Sequence, residues 1–459
     1  MNAYVAIALD LGTTSIKAGL LDQDGLLTRV VSLPAPKITV NGGRYESDAL
    51  AYVNIAGQVL QECASQAEGC TTLGMCSQRS SFLIWDKASG QPMTPLISWQ
   101  DNRGVSSCEE LRGQEQRIRA LTGLPLAPYY FAPKLRAVLH ENPVWKTRLV
   151  NGEWLVGTLD TFLIWHWSGG KYFVTDASMA ARTLLLDIDG CRWSGELCDV
   201  FEIPPGILPE INSSMGMDLE LNNGLRLQAS VGDQSAALVA GIAADGSEVI
   251  VNLGTGCFVA RYLPAKAKAP AGYLNTLVYR DRSRVTYFAA EGTLNAIANA
   301  LAPYPVNECG IADLAQADIF CLAEPAGLGA PYFRSDLGLL FSAPVDHLNP
   351  YQVAALLIEA VIFRVARVVE DFNAHIPLKR VYLSGGLSGL PCLQSGIAQC
   401  VPVEVFRLQQ NEASLQGAAL LAAGLQAAAC RDMQKIVPGV HSKALPAKYQ
   451  RWKVWLDSL

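Results

Sequence analysis

The chain has 459 residues, half of them hydrophobic and 17% charged, with 36 Lys plus Arg against 42 Asp plus Glu. That length fits two or three domains of about 150–200 residues each, and the composition excludes disordered, collagen-like and coiled-coil chains. A net charge of −6 argues against nucleic acid as a partner, because neutralising phosphates takes a basic face.

The first residues carry no basic leader region, and Asp10 interrupts their apolar run, so no signal peptide is expected. No stretch reaches the roughly 18 uninterrupted apolar residues of a membrane span. The twelve cysteines form no CxxC pair and the five histidines no HExxH motif. Buried thiols in a reducing, cytoplasmic setting are therefore expected rather than disulfides or a zinc site.

In chain order, Tyr4 to Leu9 is a β-rich apolar run that leads into Asp10-Leu11-Gly12-Thr13-Thr14 and a second apolar run, Ile16 to Leu21. Two such runs around a tight polar turn predict a β-hairpin. A helix is expected over Asp48–Ala67, with Tyr52, Ile55, Ala56, Val59 and Leu60 at helical spacing. A short strand, Leu73 to Arg79, ends in polar residues. A strand over Leu225–Val231 and a helix from about Ala236 flank Gly232-Asp233-Gln234.

The second half opens as the first does. Glu248 to Leu263 superimposes on the first hairpin at an offset of 242, with Leu11, Gly12, Thr13, Ala18 and Leu21 matching Leu253, Gly254, Thr255, Ala260 and Leu263. A helix follows with Ile358, Val361, Ile362, Val365, Val368, Val369 and Phe372 on one face, then a strand Arg380–Ser384 and a Gly385-Gly386 turn. Pro303 to Leu322 reads as an irregular connection. A repeat near half the chain length predicts two related α/β domains, 1–241 and 242–459.

An Asp closing a buried strand before a Gly-Thr-Thr turn offers a carboxylate to Mg²⁺ and N–H and hydroxyl groups to phosphate. The alternative is an ordinary hairpin with a polar turn. Gly254-Thr255-Gly256 presents the same chemistry in the second half. Asp233 reads either as a helix N-cap or as a strand-end carboxylate aimed at a ligand, and sequence position leaves both open.

Together these motifs resemble the FGGY carbohydrate kinases. The resemblance rests on Asp10 to Thr14, Ser77-Gln78-Arg79, Trp99 to Arg103, Gly157 to Thr161, Thr175 to Ser178, Arg182-Thr183, Gly232 to Gln234, Asn252 to Gly256 and Ser384 to Gly386. It runs in the family's order from residue 4 to about 425 and is strongest to the glycerol kinase branch. It implies duplicated actin-like (ribonuclease H-like) ATPase domains with a cleft between them, ATP and Mg²⁺ as cofactors, and transfer of a phosphoryl group to a hydroxyl of a small sugar or polyol. Asp233 would then be the general base and Asp10 the metal ligand. Thr13, Thr14, Gly254 and Thr255 would contact phosphates, with Gly385 and Gly386 against adenosine. Gln78, Arg79, Trp99, Tyr129, Asp233 and Gln234 would line the sugar pocket. Neither nucleic acid nor membrane is an expected partner, and a homodimer is among the assemblies allowed.

Departures from the family pattern are local. Arg79 is followed by Ser80 where glycerol kinases have Glu, Lys134 is followed by Ala137 where Trp is usual, and Ser342 replaces a Gly. The first departure points away from glycerol, toward a ketose or polyol of more than three carbons. Glycerol kinase is the alternative. A nucleotide-driven switch and a pseudokinase sugar sensor are the alternatives of another class; the presence of both Asp10 and Asp233 disfavours the pseudokinase.

Overall fold

The computed structural model describes residues 4–265, 267–409, 412–425, 432–438 and 443–459. The chain divides into two compact units. One takes Met1–Ala240, Thr276–Phe288 and Glu412–Cys430; the other takes Gly241–Asn275, Ala289–Asn411 and Arg431–Leu459.

The first unit is organised by a six-stranded sheet of β1 (Tyr4–Leu11), β2 (Ser15–Asp22), β3 (Leu27–Pro34), β4 (Thr72–Ser77), β5 (Met215–Glu220) and β6 (Arg226–Gly232), in the order β5-β6-β4-β1-β2-β3. The strands β1, β4 and β6 are parallel, and β1 to β3 form an antiparallel meander. Because side chains alternate along a strand, β1 feeds two cores. Ile7, Leu9 and Leu11 join a cluster with Tyr52, Ala56, Val59 and Leu60 of the helix Ala49–Ala64. Ala6 and Ala8 join Leu415, Ala418 and Ala422 of the helix Ala413–Ala423. The helix Ala413–Ala423 also packs so closely on the helix Asp233–Gly241 that a Cβ on Gly417 would lie 1.8 Å from the Ala236 carbonyl oxygen, so glycine is obligatory there. Asp10 shares the parity of Ala6 and Ala8 and ends this alanine-lined face.

The expected helix starts one residue later than predicted, at Ala49, because Asp48 caps it by accepting from the Ala51 N–H at 3.0 Å. It ends at Ala64 rather than Ala67. The helix after β6 begins at Asp233 itself, three residues before the expected Ala236.

The second unit's seven-stranded sheet has β7 (Glu248–Leu253), β8 (Cys257–Leu263), β9 (Leu274–Arg280), β10 (Thr286–Leu294), β11 (Arg380–Ser384), β12 (Glu404–Leu408) and β13 (Met433–Lys435), in the order β9-β10-β8-β7-β11-β12-β13. Its core repeats the first sheet: an antiparallel hairpin, then two parallel strands on the far side of the hairpin's first strand. Residues 276–280 of β9 and 286–288 of β10 count with the first unit.

One part of the predicted repeat is out of register. Leu11 pairs with Ile16 across four turn residues, whereas Leu253 pairs with Cys257 across three. The offset of 242 therefore holds for the first strand only, and the second strand is offset by 241. Ala260 stands opposite Ile250 where Gly19, not Ala18, stands opposite Ala8. The matches Ala18–Ala260 and Leu21–Leu263 are coincidences of letters.

The helix Pro350–His375 carries an Asn349 cap, with the Gln352 side chain returning to the Asn349 N–H at 3.0 Å. It is buried nearly all round between Val353 and Val369, not on one face alone. The charges this buries are paired: Arg364 with Glu324 at 2.5 Å, and Glu359 with Lys448. Pro303 to Leu322 is largely irregular, with short 3₁₀ turns at Val306–Glu308 and Ile311–Asp313 before a strand begins at Cys321.

Candidate active site

In the first unit, Asp10 to Thr14, Gln78, Arg79, Asp233 and Gln234 lie at or just beyond the ends of β1, β4 and β6. Parallel strands deliver them there together, as in α/β proteins generally. One group centres on Gln78. Its side-chain oxygen accepts from Thr13 Oγ1 at 3.3 Å and Ser81 Oγ at 2.8 Å, and its amide donates to Tyr52 OH at 2.9 Å. Trp99 Nε1 donates to Thr13 Oγ1 at 3.1 Å, and the Trp99 N–H to Ser81 Oγ at 2.9 Å. Gln78 is buried, while the Trp99 ring is 42% exposed. A fixed amide thus backs an open aromatic surface.

The second group is Arg79, Asp233 and Gln234. Arg79 Nε lies 3.5 Å from Asp233 Oδ1, and Nη2 donates to Gln234 Oε1. The stem of Arg79 runs over Gly232, where an added Cβ would lie 2.8 Å from Arg79 Cδ. Burial raises the Asp233 carboxyl pKa, and the Arg79 guanidinium pulls it back. The hydrogen bond Asp233 accepts comes from the N–H of its own neighbour Gln234, at 2.7 Å. An N-cap instead reaches the second or third N–H of a helix, so the cap reading does not describe this geometry. Tyr129, 43% exposed, lies against Tyr130 with ring centroids 4.5 Å apart. Thr14 is exposed at the turn.

Asp10 has one carboxylate oxygen, Oδ1, buried without a hydrogen-bond partner among the described residues. The Cys76 thiol bonds to the same carboxyl. Burial first, and the Asp233 charge second, push its pKa up to about 7. An orphaned carboxylate oxygen at this position fits a cation. No group of three or more His, Cys, Asp or Glu side chains able to hold a metal occurs among the described residues. A cation at Asp10 would therefore draw its other ligands from phosphate and water, as Mg²⁺ commonly does.

In the second unit, the Gly254 N–H donates to the Gly256 carbonyl at 2.9 Å, and the Thr255 carbonyl accepts from the Ala298 N–H at 3.0 Å. Gly385, at the end of β11, has φ +84°. A Cβ there would lie 2.6 Å from both Asn252 Oδ1 and the Leu253 carbonyl oxygen. Only glycine fits. The Gly385-Gly386 corner thus lies directly against the strand end that carries Gly254 and Thr255, and Thr255, Gly385 and Gly386 are exposed.

The supporting contacts of two residues, Lys134 and Ser80, escaped the sequence reading. Lys134 is fully buried and donates to the carbonyls of Ser80 at 2.9 Å and Ser98 at 2.7 Å, tying together the segments that bear Arg79 and Trp99. Burial pushes its pKa down to about 7. Ser80, at φ +63°, is buried and donates its hydroxyl to the Arg182 carbonyl at 3.0 Å. The only sequence signal for Lys134 was its place in a family motif.

Comparison with known proteins shows the family. Residues 5–251 match the N-terminal domain of the FGGY family of carbohydrate kinases, and 249–425 match its C-terminal domain. The chain belongs to that family and is a carbohydrate kinase. It is 29% identical to an apulose kinase of Pectobacterium atrosepticum over 99% of this chain and 98% of that protein. It is 30% identical to a glycerol kinase of Pseudomonas fluorescens over 95% and 90%. Its fold matches a Plasmodium falciparum glycerol kinase solved with ADP, with TM-score 0.86 and 20% identity over 100% and 99% of the two chains. Among the described residues no helix is long and apolar enough to cross a membrane.

Proposed function

We propose that this kinase transfers the γ-phosphoryl group of ATP to a hydroxyl of a ketose or polyol with more than three carbons, acting in the cytoplasm. The observation that carries the reading is the Arg79–Asp233–Gln234 cluster beside the Gln78–Trp99 wall: a carboxylate held by a guanidinium next to an open aromatic face and several hydroxyl-pairing groups. Asp233 accepts the proton of the attacking hydroxyl, and Arg79 keeps that carboxylate ionised against its burial. Gln78, Arg79, Trp99, Tyr129 and Gln234 orient the sugar. Thr13, Thr14, Gly254 and Thr255 contact phosphates, and Gly385 with Gly386 leave room for the adenosine. Asp10 would hold Mg²⁺, which neutralises phosphate charge when bound. Phosphoryl transfer depends mainly on such positioning and charge neutralisation.

Ser80 points to the size of the substrate. Ser80 has no carboxylate to set beside Arg79, and its hydroxyl proton goes to the Arg182 carbonyl, so a longer acceptor brings its own hydroxyl there. ADP release measured across glycerol, four- to six-carbon polyols, ketoses and aldonates tests both levels. Release that depends on no acceptor would sink the kinase assignment to this class of substrate, and glycerol ranking first in kcat/KM would sink the preference for a longer one.

A further inference from the structure

The motif Thr175-Asp176-Ala177-Ser178 takes no part in the roles assigned above, yet its side chains end beside Asp233. Asp176 is fully buried and accepts four hydrogen bonds: from the Ser178 N–H at 2.8 Å, Ser178 Oγ at 3.0 Å, the Met179 N–H at 2.9 Å and Ser214 Oγ at 2.6 Å. With its proton committed to Asp176, Ser178 Oγ has a lone pair free, and it accepts the Gly232 N–H at 2.8 Å. Gly232 closes the β4–β6 ladder opposite Ser77 and immediately precedes Asp233. On its other side Gly232 meets the stem of Arg79. The corner that aims Asp233 is therefore clamped between a buried hydroxyl and the side chain that ion-pairs with the base.

We propose that Ser178, oriented by Asp176, is a positioning residue for the catalytic carboxylate: it fixes the Gly232 amide and so sets Asp233 against Arg79. The inference rests on Asp233 acting as the base. A buried N–H deprived of its acceptor seeks another arrangement, and a shift of about 1 Å at a reacting group can cost on the order of 100-fold in rate. Asp233 is faced by Arg79 and Arg182, whose charges lower its carboxyl pKa, and by the like charge of Asp10; loosening the corner weakens the hold of Arg79, which lets burial raise that pKa further.

The test compares Ser178→Ala, Ser178→Cys and Ser178→Thr with wild type, using the best acceptor of the panel above. Ser178→Cys keeps the side-chain volume but lacks a strong acceptor, so the test stands even where Ser178→Ala does not fold. The expected result is a kcat lower by about 10- to 100-fold in Ala and Cys, an ATP KM within about twofold, and an acidic limb of the kcat–pH profile moved to higher pH, all restored by Thr. A structural role alone would lower the folded fraction without moving that limb. An unmoved limb in both Ala and Cys, or a Thr variant no better than Ala, overturns the proposal. Asp233→Asn run alongside separates the two levels. Near-wild-type turnover there sinks the base assignment and this inference with it, while low turnover there with an unmoved limb in the Ser178 variants sinks the positioning role alone.

Discussion

At the end of β1 stands Asp10, opposite Cys76 in the parallel ladder; at the end of β7, 242 residues on, stands Asn252, opposite Ser384. The neighbouring strand runs on into Gln78 and Arg79 in the first unit and into Gly385 and Gly386 in the second. Both units share the hairpin, the parallel neighbour and the Gly-Thr turn, but the chemistry at the strand ends differs. The first unit collects two half-buried carboxylates, one with an orphaned oxygen and one held by a guanidinium. The second presents neutral backbone and a corner kept bare of side chains. A duplicated frame thus supplies the same positions twice, and under the proposed function single residues at those positions separate acid–base and metal chemistry from the recognition of a nucleotide.

The largest expected effect comes from removing the charge that most distinguishes the first unit. Asp233→Asn should lower kcat by about 10²–10⁴-fold, the contribution of a positioned base, with little change in the KM for ATP. Turnover close to wild type would show that the asymmetry is not catalytic.

Asp10→Asn makes the first turn resemble the second. Loss of metal-assisted charge stabilisation, worth several kcal/mol, should reduce kcat by about 10²–10³-fold and abolish Mg²⁺ binding by calorimetry. In wild type, apparent Mg²⁺ affinity should rise with pH through about 7, because the carboxyl pushed up to that value must lose its proton to accept a cation. The stability linkage has the opposite sign. A buried acid whose folded pKa exceeds its unfolded one costs stability increasingly as pH rises from about 4 to about 7. Without Mg²⁺, Asp10→Asn should therefore melt higher than wild type at pH 8 and level with it at pH 4. Equal melting at both would remove the argument that Asp10 is an uncompensated buried charge.

A smaller effect is expected at Ser80. Replacing it with Glu breaks the bond to the Arg182 carbonyl and places a long side chain at φ +63°, so some stability is lost. The kcat/KM ratio of glycerol to the best longer acceptor should move toward glycerol by about tenfold, the range for one added contact in a pocket. A ratio that stays put would assign specificity elsewhere in the first unit.

Much of this division was legible in the sequence, because strand, glycine turn and strand-end polar residue are consecutive and their chemistry is local. Asp10 to Thr14 and Asn252 to Gly256 could be recognised side by side for that reason. Register was not legible: one residue fewer in the second turn shifts the pairing of β8, and letter matches at Ala260 and Leu263 conceal it. Nor were the supports. Lys134 reaches carbonyls 54 and 36 positions away, and Ser178 meets an amide 54 positions on. No periodicity encodes such meetings, which arise only when strand ends and helix starts are packed together. The competing cap role for Asp233 likewise depended on where its helix begins, a boundary that sequence propensity does not fix to the residue.

The division of labour itself is tested most directly by one paired kinetic measurement, the KM for acceptor and for ATP in Trp99→Ala and Gly385→Ala. Trp99→Ala removes the exposed aromatic wall held by Thr13, and Gly385→Ala forces a Cβ into the Asn252–Leu253 corner. The account predicts that the first raises the acceptor KM and leaves the ATP KM near wild type, while the second does the reverse. Both variants raising both constants alike, or each raising the other's, would contradict it.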